Sequence, residues 1–535
     1  MNPAFRSPSE PSSPARHWTR VCGLEDILPE SGAAAWVDGH EVAVFRVRDA
    51  VYAIGNLDPA SGANVIARGI VGDLGGEIVV ASPMYKQHFS LITGRCLEDP
   101  ALSVPAYLAR VMDGEIWIRG KAVPRRRSAH KRRLVVIGNG MIAARTLEDL
   151  LEFEPQRHDI TVFGGEPQGS YNRVLLSPLL AGDRPLAEVV THPPDWYSRR
   201  RITLQADDPI EHIDRTRRRV RSRSGLEVAY DRLLIATGSQ PIVLGIPGTS
   251  LDGVISFRDL RDVESMMTAA RTQRRAIVIG GGLLGLEAAH GLRRRGMSVT
   301  VVHIEKHLME RQLDEPAAGL LRTEFEQRGI EFAMPAEAAQ ILGKTRVTGV
   351  RLADGRELAG DLVVMAVGVR PNIELARAAG LHCDRGVLVD DTLLTNDPSI
   401  YAVGECVQHR GRTFGLVAPL FDQARICAAY LAERAVRGFR PQPVSASLKV
   451  GGIDLFSAGD CAPAPGTESL VLRDAARGVY RRLLLHRDRV RGAVLYGDTS
   501  GGRWYVELIE KGESVASLRN ELLFGAPEKR AAGGS

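Results

Sequence analysis

The chain is poor in the residues that build crosslinks and metal centres. Among its 535 residues there are six cysteines, Cys22, Cys96, Cys383, Cys406, Cys427 and Cys461. They are scattered, with no C-x-x-C and no paired spacing, which argues against a disulfide framework, a zinc site or an iron–sulfur cluster held by this chain alone. No run approaches the ~20 apolar residues that span a bilayer, so no membrane association is expected. The opening MNPAFRSPSEPSSPAR lacks the apolar segment of a secretory signal. Residues 1–17 read as a Pro/Ser-rich disordered tail, and the cytoplasm is the expected location. Charge of one sign is also scarce: 69 Lys+Arg against 64 Asp+Glu leave a net +5. The excess sits in short Arg runs, so no nucleic-acid partner is expected.

Glycine is plentiful, at 55 residues, which favours α/β folds with many tight strand-to-helix turns. The length implies roughly three to four domains of ~150 residues. Residues 18–120 read as short strands (EVAVFRV, AVYAIG, EIVVAS, EIWIRG) broken by turn residues, an all-β domain. Residues 121–133 form a basic linker by composition, either a solvated hinge or a docking patch for an acidic redox partner. From Leu134 strands alternate with helices, the mark of a parallel sheet. Residues 436–525 read as a small α+β domain, in which GVYRRLLLHRDRVRGAVLYG forms two strands around a His-Arg-Asp turn. Residues 526–535 form a second tail.

Two glycine turns carry the chemistry. In LVVIGNGMIAAR an apolar strand meets Gly138, Gly140 and Ala143 at the G-x-G-x-x-A positions. The first Gly permits the turn, the second lets backbone approach a pyrophosphate, and the small third residue packs helix on strand. The helix N-terminus then faces the phosphates. An acid after the second strand, Glu166, is expected to take the ribose. AIVIGGGLLGLEAA repeats the device with Gly280, Gly282 and Gly285. Between them lies LIATG, with Thr237 and Gly238, and Gly368 completes the expected cofactor contacts. The third element is TNDPSIYAVGE, a strand ending in Gly404-Glu405. The acidic side chain is expected at the flavin ribityl chain, and a helix starting near Pro419 with Gln423 in its first turn is expected to aim its positive end at the flavin ring.

This order resembles the two-dinucleotide-binding-domain flavoprotein reductases. The resemblance implies an FAD domain at 134–245 and 371–435 and an NAD(P)H domain at 246–370, both Rossmann-like. YNRVLLSPLLAG, LMERQLD, the run YAVGECVQHRG to GLVAPLFDQA, and IDLFSAGD narrow it: they look like the FAD/NAD half of the NAD(P)H nitrite reductase large subunit. In that family the YNR segment lies along the FAD, which carries over to Asn172, Arg173 and Ser177. Arg173 is suited to neutralise pyrophosphate. Residues 163–182 contain no cysteine, so electrons are not expected to leave through a thiol in the place used by disulfide reductases.

GNLDP and SPMYKQHFSLITG resemble the two cluster loops of a Rieske ferredoxin. The four ligand positions hold Asn56, Asp58, Ser82 and Tyr85, whereas a Rieske centre needs two thiolates and two imidazoles. The expectation is the Rieske-like fold without metal, as in the nitrite reductase small subunit, with His88 serving the fold or surface. In the family the large subunit continues into Cys-rich and sirohaem parts for which this chain has no cysteines.

The expected function is that of an FAD-dependent NAD(P)H oxidoreductase passing electrons to a separate nitrite or nitrate reductase component. Glu287, two residues past Gly285, is the expected catalytic residue at the nicotinamide; a helix N-terminal charge is its alternative role. His303 and Glu305 follow the second strand of the NAD unit. Glu305 favours NADH by repelling a 2′-phosphate, while His303 and Lys306 leave NADPH open. A homodimer is one expected assembly. Two alternatives stand: a stand-alone NAD(P)H oxidase or ferredoxin/rubredoxin-type reductase, and a non-catalytic flavin-bound regulatory or assembly protein.

Overall fold

The computed structural model describes residues 18–47, 50–74, 77–119, 131–434, 436, 438–441 and 445–526. The expected N-terminal tail, residues 527–535 of the C-terminal one and residues 121–130 of the basic linker lie outside them.

Trp18 to Arg119 fold as short antiparallel strands. His40–Val47 pairs Ser31–Val37 on one side and Ala50–Gly55 on the other. It is apolar on both faces for a reason. Ala43 and Phe45 pack into one core with Val80 and Phe89. Val42 and Val44 pack into another with Ile116 and Ile118. Buried on both sides, the strand loses the polar alternation of a surface strand.

The α/β region begins with β1 (Arg132–Ile137), α1 (Met141–Phe153), β2 (His158–Phe163), α2 (Leu176–Ala181), β3 (Thr203–Gln205) and β4 (Arg232–Ile235). A second unit follows: β5 (Val254–Ser256), α3 (Leu260–Thr272), β6 (Arg275–Ile279), α4 (Leu283–Arg294), β7 (Ser298–Val302), β8 (Ile330–Ala333) and β9 (Leu362–Met365). The chain then returns with β10 (Ile400–Ala402) and α5 (Val417–Leu431). The first sheet runs β3-β2-β1-β4-β10 and the second β5-β9-β6-β7-β8, all parallel. In each, the strand before the glycine turn is central, and strand order reverses beside it. That is where parallel sheets open a crevice at their carboxyl ends.

The last unit is an antiparallel sheet of β11 (Ser445–Val450), β12 (Ile453–Gly459), β13 (Thr467–Asp474), β14 (Val479–His486) and β15 (Arg489–Tyr496), in the order β11-β12-β15-β14-β13. Helix α6 (Gly502–Lys511) packs Tyr505 and Leu508 onto it. The β14–β15 turn is tight: Arg487 and Asp488 lie at φ 50° and 53°, as a two-residue hairpin with right-handed strand twist requires.

Polar side chains tie the units to one another. The Tyr480 hydroxyl of β14 donates to Asp314 Oδ2 of the second unit at 2.6 Å. At the opposite end of the first sheet, Glu433, just past α5, receives Arg95 of the β domain (3.3 Å), Arg132 of β1 (2.6 Å) and Arg157. Burial opposes ionisation of Glu433, yet the charges of Arg132, Arg95 and Arg157 outweigh it and hold the carboxyl down to about 2.

Candidate active site

A cavity of about 1360 Å³ opens at the carboxyl ends of β1 and β4. It exceeds the ~300–1,000 Å³ typical of drug-sized ligands, as a site for a dinucleotide and a second reactant must. Its walls come from three units: the β1–α1 turn, Leu283, Leu284 and Glu287 of α4, and Ser445–Leu448 of β11.

The first turn is built for a phosphate. Gly138 sits at φ 101°, and a Cβ there would lie 2.2 Å from the Ala236 carbonyl. Gly140 caps α1 without any side-chain hydrogen bond, and a Cβ on it would meet nothing within 4 Å. The open side and the uncapped amides form a cradle for an anion. Ala143 is fully buried behind it. Beside the cradle, Asn139 lines the cavity with its Nδ2 buried and without a partner. A buried donor of this kind calls for an acceptor. The glycines, the open helix end and this amide together fit the pyrophosphate of FAD.

The second turn repeats the geometry. Gly280 lies at φ 120° with a notional Cβ 2.3 Å from Ala366 O, Gly282 faces open space, and a Cβ on Gly285 would fall 2.0 Å from Gly280 O. Gly282 caps α4, again with no side-chain bond. The fit here is to the pyrophosphate of a second dinucleotide.

Around the cavity Thr237 Oγ donates to Asn372 O at 2.7 Å, and Gly238 turns at φ 66°. Gly368, at φ 115°, follows β9 and is outside the lining. Glu166 lies three residues beyond β2, where it accepts from Tyr171 (2.8 Å), Gln168 (3.1 Å) and Arg173 (3.0 Å). Burial raises its carboxyl, against Arg173 and Tyr171. Arg173 thus faces the cavity already paired. Asn172, also on the wall, caps the following turn through Val174 N at 3.0 Å.

Other placements, besides that of Gly368, differ from the sequence expectations. Helix α5 starts at Val417, so Pro419 is its third residue, where the missing N–H is one of the helix end's free donors, and Gln423 falls in the second turn. Gln423 is fully buried, and its Oε1 accepts the Gly404 amide at 2.8 Å. It braces the Gly404 turn (φ 92°) from behind, and neither it nor Pro419 lines the cavity. Ser177 is likewise outside the lining, because its hydroxyl donates to Glu287 Oε2 at 2.5 Å. His303 is buried under the second glycine turn: Nδ1 accepts the Gly281 amide at 3.0 Å and Nε2 reaches His307 O at 3.1 Å. Both ring nitrogens are therefore engaged within the protein, while Glu305 is exposed.

Sequence reasoning passed over Arg258. It precedes α3, lines the cavity, and pairs with Glu405, whose carboxylate also accepts Ser239 Oγ at 2.7 Å. Its Nε is buried without a partner. The available signal was a lone arginine in ISFRDL, directly ahead of the Asp259 that caps α3.

Glu287 also faces the cavity. Burial pushes its carboxyl up to about 7, and the Ser177 hydrogen bond pulls the other way.

In the β domain, the Rieske-type positions do not fit a cluster. Asn56 is buried and joins Glu41 Oε1 (2.8 Å) to the Ala67 amide (2.7 Å). Asp58 accepts the Ala60 and Ser61 amides and the Ser82 hydroxyl. Tyr85 is 61% exposed. The two loops are thus held by hydrogen bonds among the side chains that stand where ligands would. Among the described residues no three His, Cys, Asp or Glu side chains converge as a metal site. His88 Nδ1 contacts Glu98 at 2.5 Å.

Three family models match the chain: pyridine nucleotide-disulphide oxidoreductase over residues 132–427, Rieske-like [2Fe-2S] domain over 17–119, and rubredoxin NAD+ reductase C-terminal domain over 443–513. The nitrite reductase [NAD(P)H] of Bacillus subtilis is 40% identical over 72% of this chain and 48% of its own length. The assimilatory nitrate reductase electron transfer subunit of the same organism is 39% identical over 74% of this chain and 51% of its own. The chain thus spans about half the length of these curated relatives. Among solved structures, the ferredoxin reductase for the CYP199A2 system from Rhodopseudomonas palustris superposes with a TM-score of 0.63 at 28% identity, over 69% of this chain and 91% of that one.

Proposed function

The chain belongs to the pyridine nucleotide-disulphide oxidoreductase family, and from that premise we propose that it takes hydride from NADH onto FAD and hands the electrons to a separate nitrite or nitrate reductase component. The observation that carries this is the shared chamber: the first glycine turn and the α4 side chains of the second unit line one cavity. Bound FAD supplies the exchange between two-electron and one-electron chemistry. The protein's part is to bind, orient and exclude water.

In this reading Gly138, Gly140 and Ala143 form the FAD phosphate cradle, with Asn139 and Asn172 beside it. Arg258 bridges Glu405 and the flavin side of the chamber, and Arg173 with Glu166 closes the adenosine end. Gly280, Gly282 and Gly285 cradle the NADH pyrophosphate. Leu283 and Leu284 provide apolar wall, and Glu287 faces the chamber where it would approach the nicotinamide. Exposed Glu305, a carboxylate beyond the second turn, favours NADH over NADPH. His303 supports that turn from beneath. With no cysteine between residues 163 and 182, no thiol relays electrons there, and the acceptor is another protein. No helix among the described residues is long and apolar enough to cross a membrane, in keeping with a proposed cytoplasmic location.

Reconstitution tests the acceptor. FAD-loaded protein is mixed with NADH and a purified nitrite or nitrate reductase component. Oxyanion-dependent NADH oxidation appearing only with both proteins present supports the proposal, and its absence with an active component refutes it. A second reading, a ferredoxin- or rubredoxin-type reductase, draws on the C-terminal match over residues 443–513. Faster reduction of a ferredoxin or rubredoxin than of that component would favour it.

A further inference from the structure

Helices α2 and α4 cross closely beside the chamber. Gly291 of α4 permits the close crossing, since a Cβ there would lie 2.6 Å from Leu180. The crossing brings Ser177 Oγ to 2.5 Å from Glu287 Oε2, on the wall of the chamber.

The cations on the same chamber wall, Arg173 and Arg258, are taken up by Glu166 and Glu405. Helix α2, LSPLLA, has no ionisable side chain. On α4 the nearest is His290, held toward neutrality by burial and by Arg328 and Arg294. On α3, Arg261 pairs with Asp207, Asp262 caps its own helix, and Glu264 and Arg271 are exposed. Arg275 of β6 pairs with Asp361, and Glu331 of β8 receives Thr300. Lys449 of β11 lies by Asp454. Strands β7 and β9, SVTVV and LVVM, carry no charge. Burial is therefore the main influence on Glu287 and the Ser177 hydroxyl the opposing one, which leaves both protonation states accessible near neutrality.

The oxidised nicotinamide ring is a cation and the reduced ring is neutral. A buried carboxylate with no counter-cation attracts the first strongly and discriminates little for the second. Resting on the dinucleotide reading above, we propose that the Glu287–Ser177 pair couples a proton to nicotinamide binding: the ionised carboxylate holds the oxidised ring, and the neutral carboxyl releases it. Glu287 is then the group that grades affinity by redox state. Ser177, which does not line the chamber, is a positioning residue that keeps the carboxyl oriented and ionisable.

Linkage fixes the sign. A cation that lowers the proton affinity of Glu287 expels its proton on binding, and binding tightens as pH rises. The test is isothermal titration of FAD-loaded protein in buffers of different ionisation heat. One probe is NAD+ and the other 1,4,5,6-tetrahydro-NAD, a neutral analogue that cannot reduce flavin. At pH 7 NAD+ is expected to release close to half a proton and the neutral analogue none. Between about pH 5.5 and 8.5 NAD+ affinity is expected to rise on the order of tenfold, with the analogue flat. Glu287→Gln should abolish both effects. Ser177→Ala should move the transition to higher pH and Ser177→Thr should restore it, whereas mere structural damage would weaken both probes alike at every pH. Wild-type NAD+ binding without proton release, or proton release retained in Glu287→Gln, overturns the proposal. If neither probe binds, the dinucleotide reading itself fails and takes this inference with it.

Discussion

Replacing Glu433 by Gln removes the one carboxylate shared by Arg95, Arg132 and Arg157. Holding that carboxyl at about 2 rather than the ordinary 4.5 corresponds to about 3 kcal/mol of stabilisation of the ionised form. Breaking a largely buried pair by deleting one partner costs about 3–5 kcal/mol, so two routes agree. The folded-state value is depressed, so the stabilisation is complete above the unfolded value of 4.5 and lost as pH falls through about 2. Urea unfolding of the FAD-loaded protein, followed by tryptophan fluorescence and flavin release, should therefore show Glu433→Gln weaker by about 3 kcal/mol at pH 7. The gap should fall to roughly half by pH 3. Arg95→Ala, which deletes only the longest of the three pairs, should cost under about 1 kcal/mol. Equal midpoints for wild type and Glu433→Gln at pH 7, or a gap that widens as pH falls, would refute the reasoning.

Three further outcomes follow from the site. Gly285→Val drives a side chain into the Gly280 carbonyl and should slow flavin reduction by NADH at least tenfold in stopped flow while FAD content stays normal. Arg258→Ala leaves Glu405 without its cation and should weaken FAD binding about tenfold, roughly 1.4 kcal/mol, read by flavin release on dilution. Elemental analysis of protein produced with iron supplied should find no stoichiometric iron, and chelation should leave the spectrum unchanged. A Rieske-type absorption band would contradict the hydrogen-bonded reading of Asn56, Asp58 and Ser82.

Much of the fold was legible because its signals are local. The apolar runs LVVI and AIVI are strands buried on both faces, and the glycines after them need a positive φ or a close backbone approach that other residues resist. The Arg487-Asp488 turn was likewise visible between two apolar strands. What escaped depended on distant partners. Ser177 sits beside cavity-lining residues in sequence, but its hydroxyl is claimed by Glu287, 110 residues away. His303 occupies an expected ribose position, yet its ring reaches back to the Gly281 amide, which no spacing rule announces. Arg258 looks like any surface arginine until the fold sets it against Glu405. The start of α5 was misplaced by two residues because Pro is common at a helix's first position yet also tolerated at the third, where its missing N–H costs nothing.

The central claim, that one chamber joins FAD to a pyridine nucleotide for hydride transfer, is tested most directly by anaerobic titration of the FAD-loaded protein with NADH while its visible spectrum is recorded. The account predicts a flavin-only spectrum that bleaches completely at one NADH per chain, with NADPH markedly slower. Flavin that stays oxidised under excess NADH, or bleaches at less than about one turnover per second, would contradict it and point instead to a flavin-bound protein that does not catalyse.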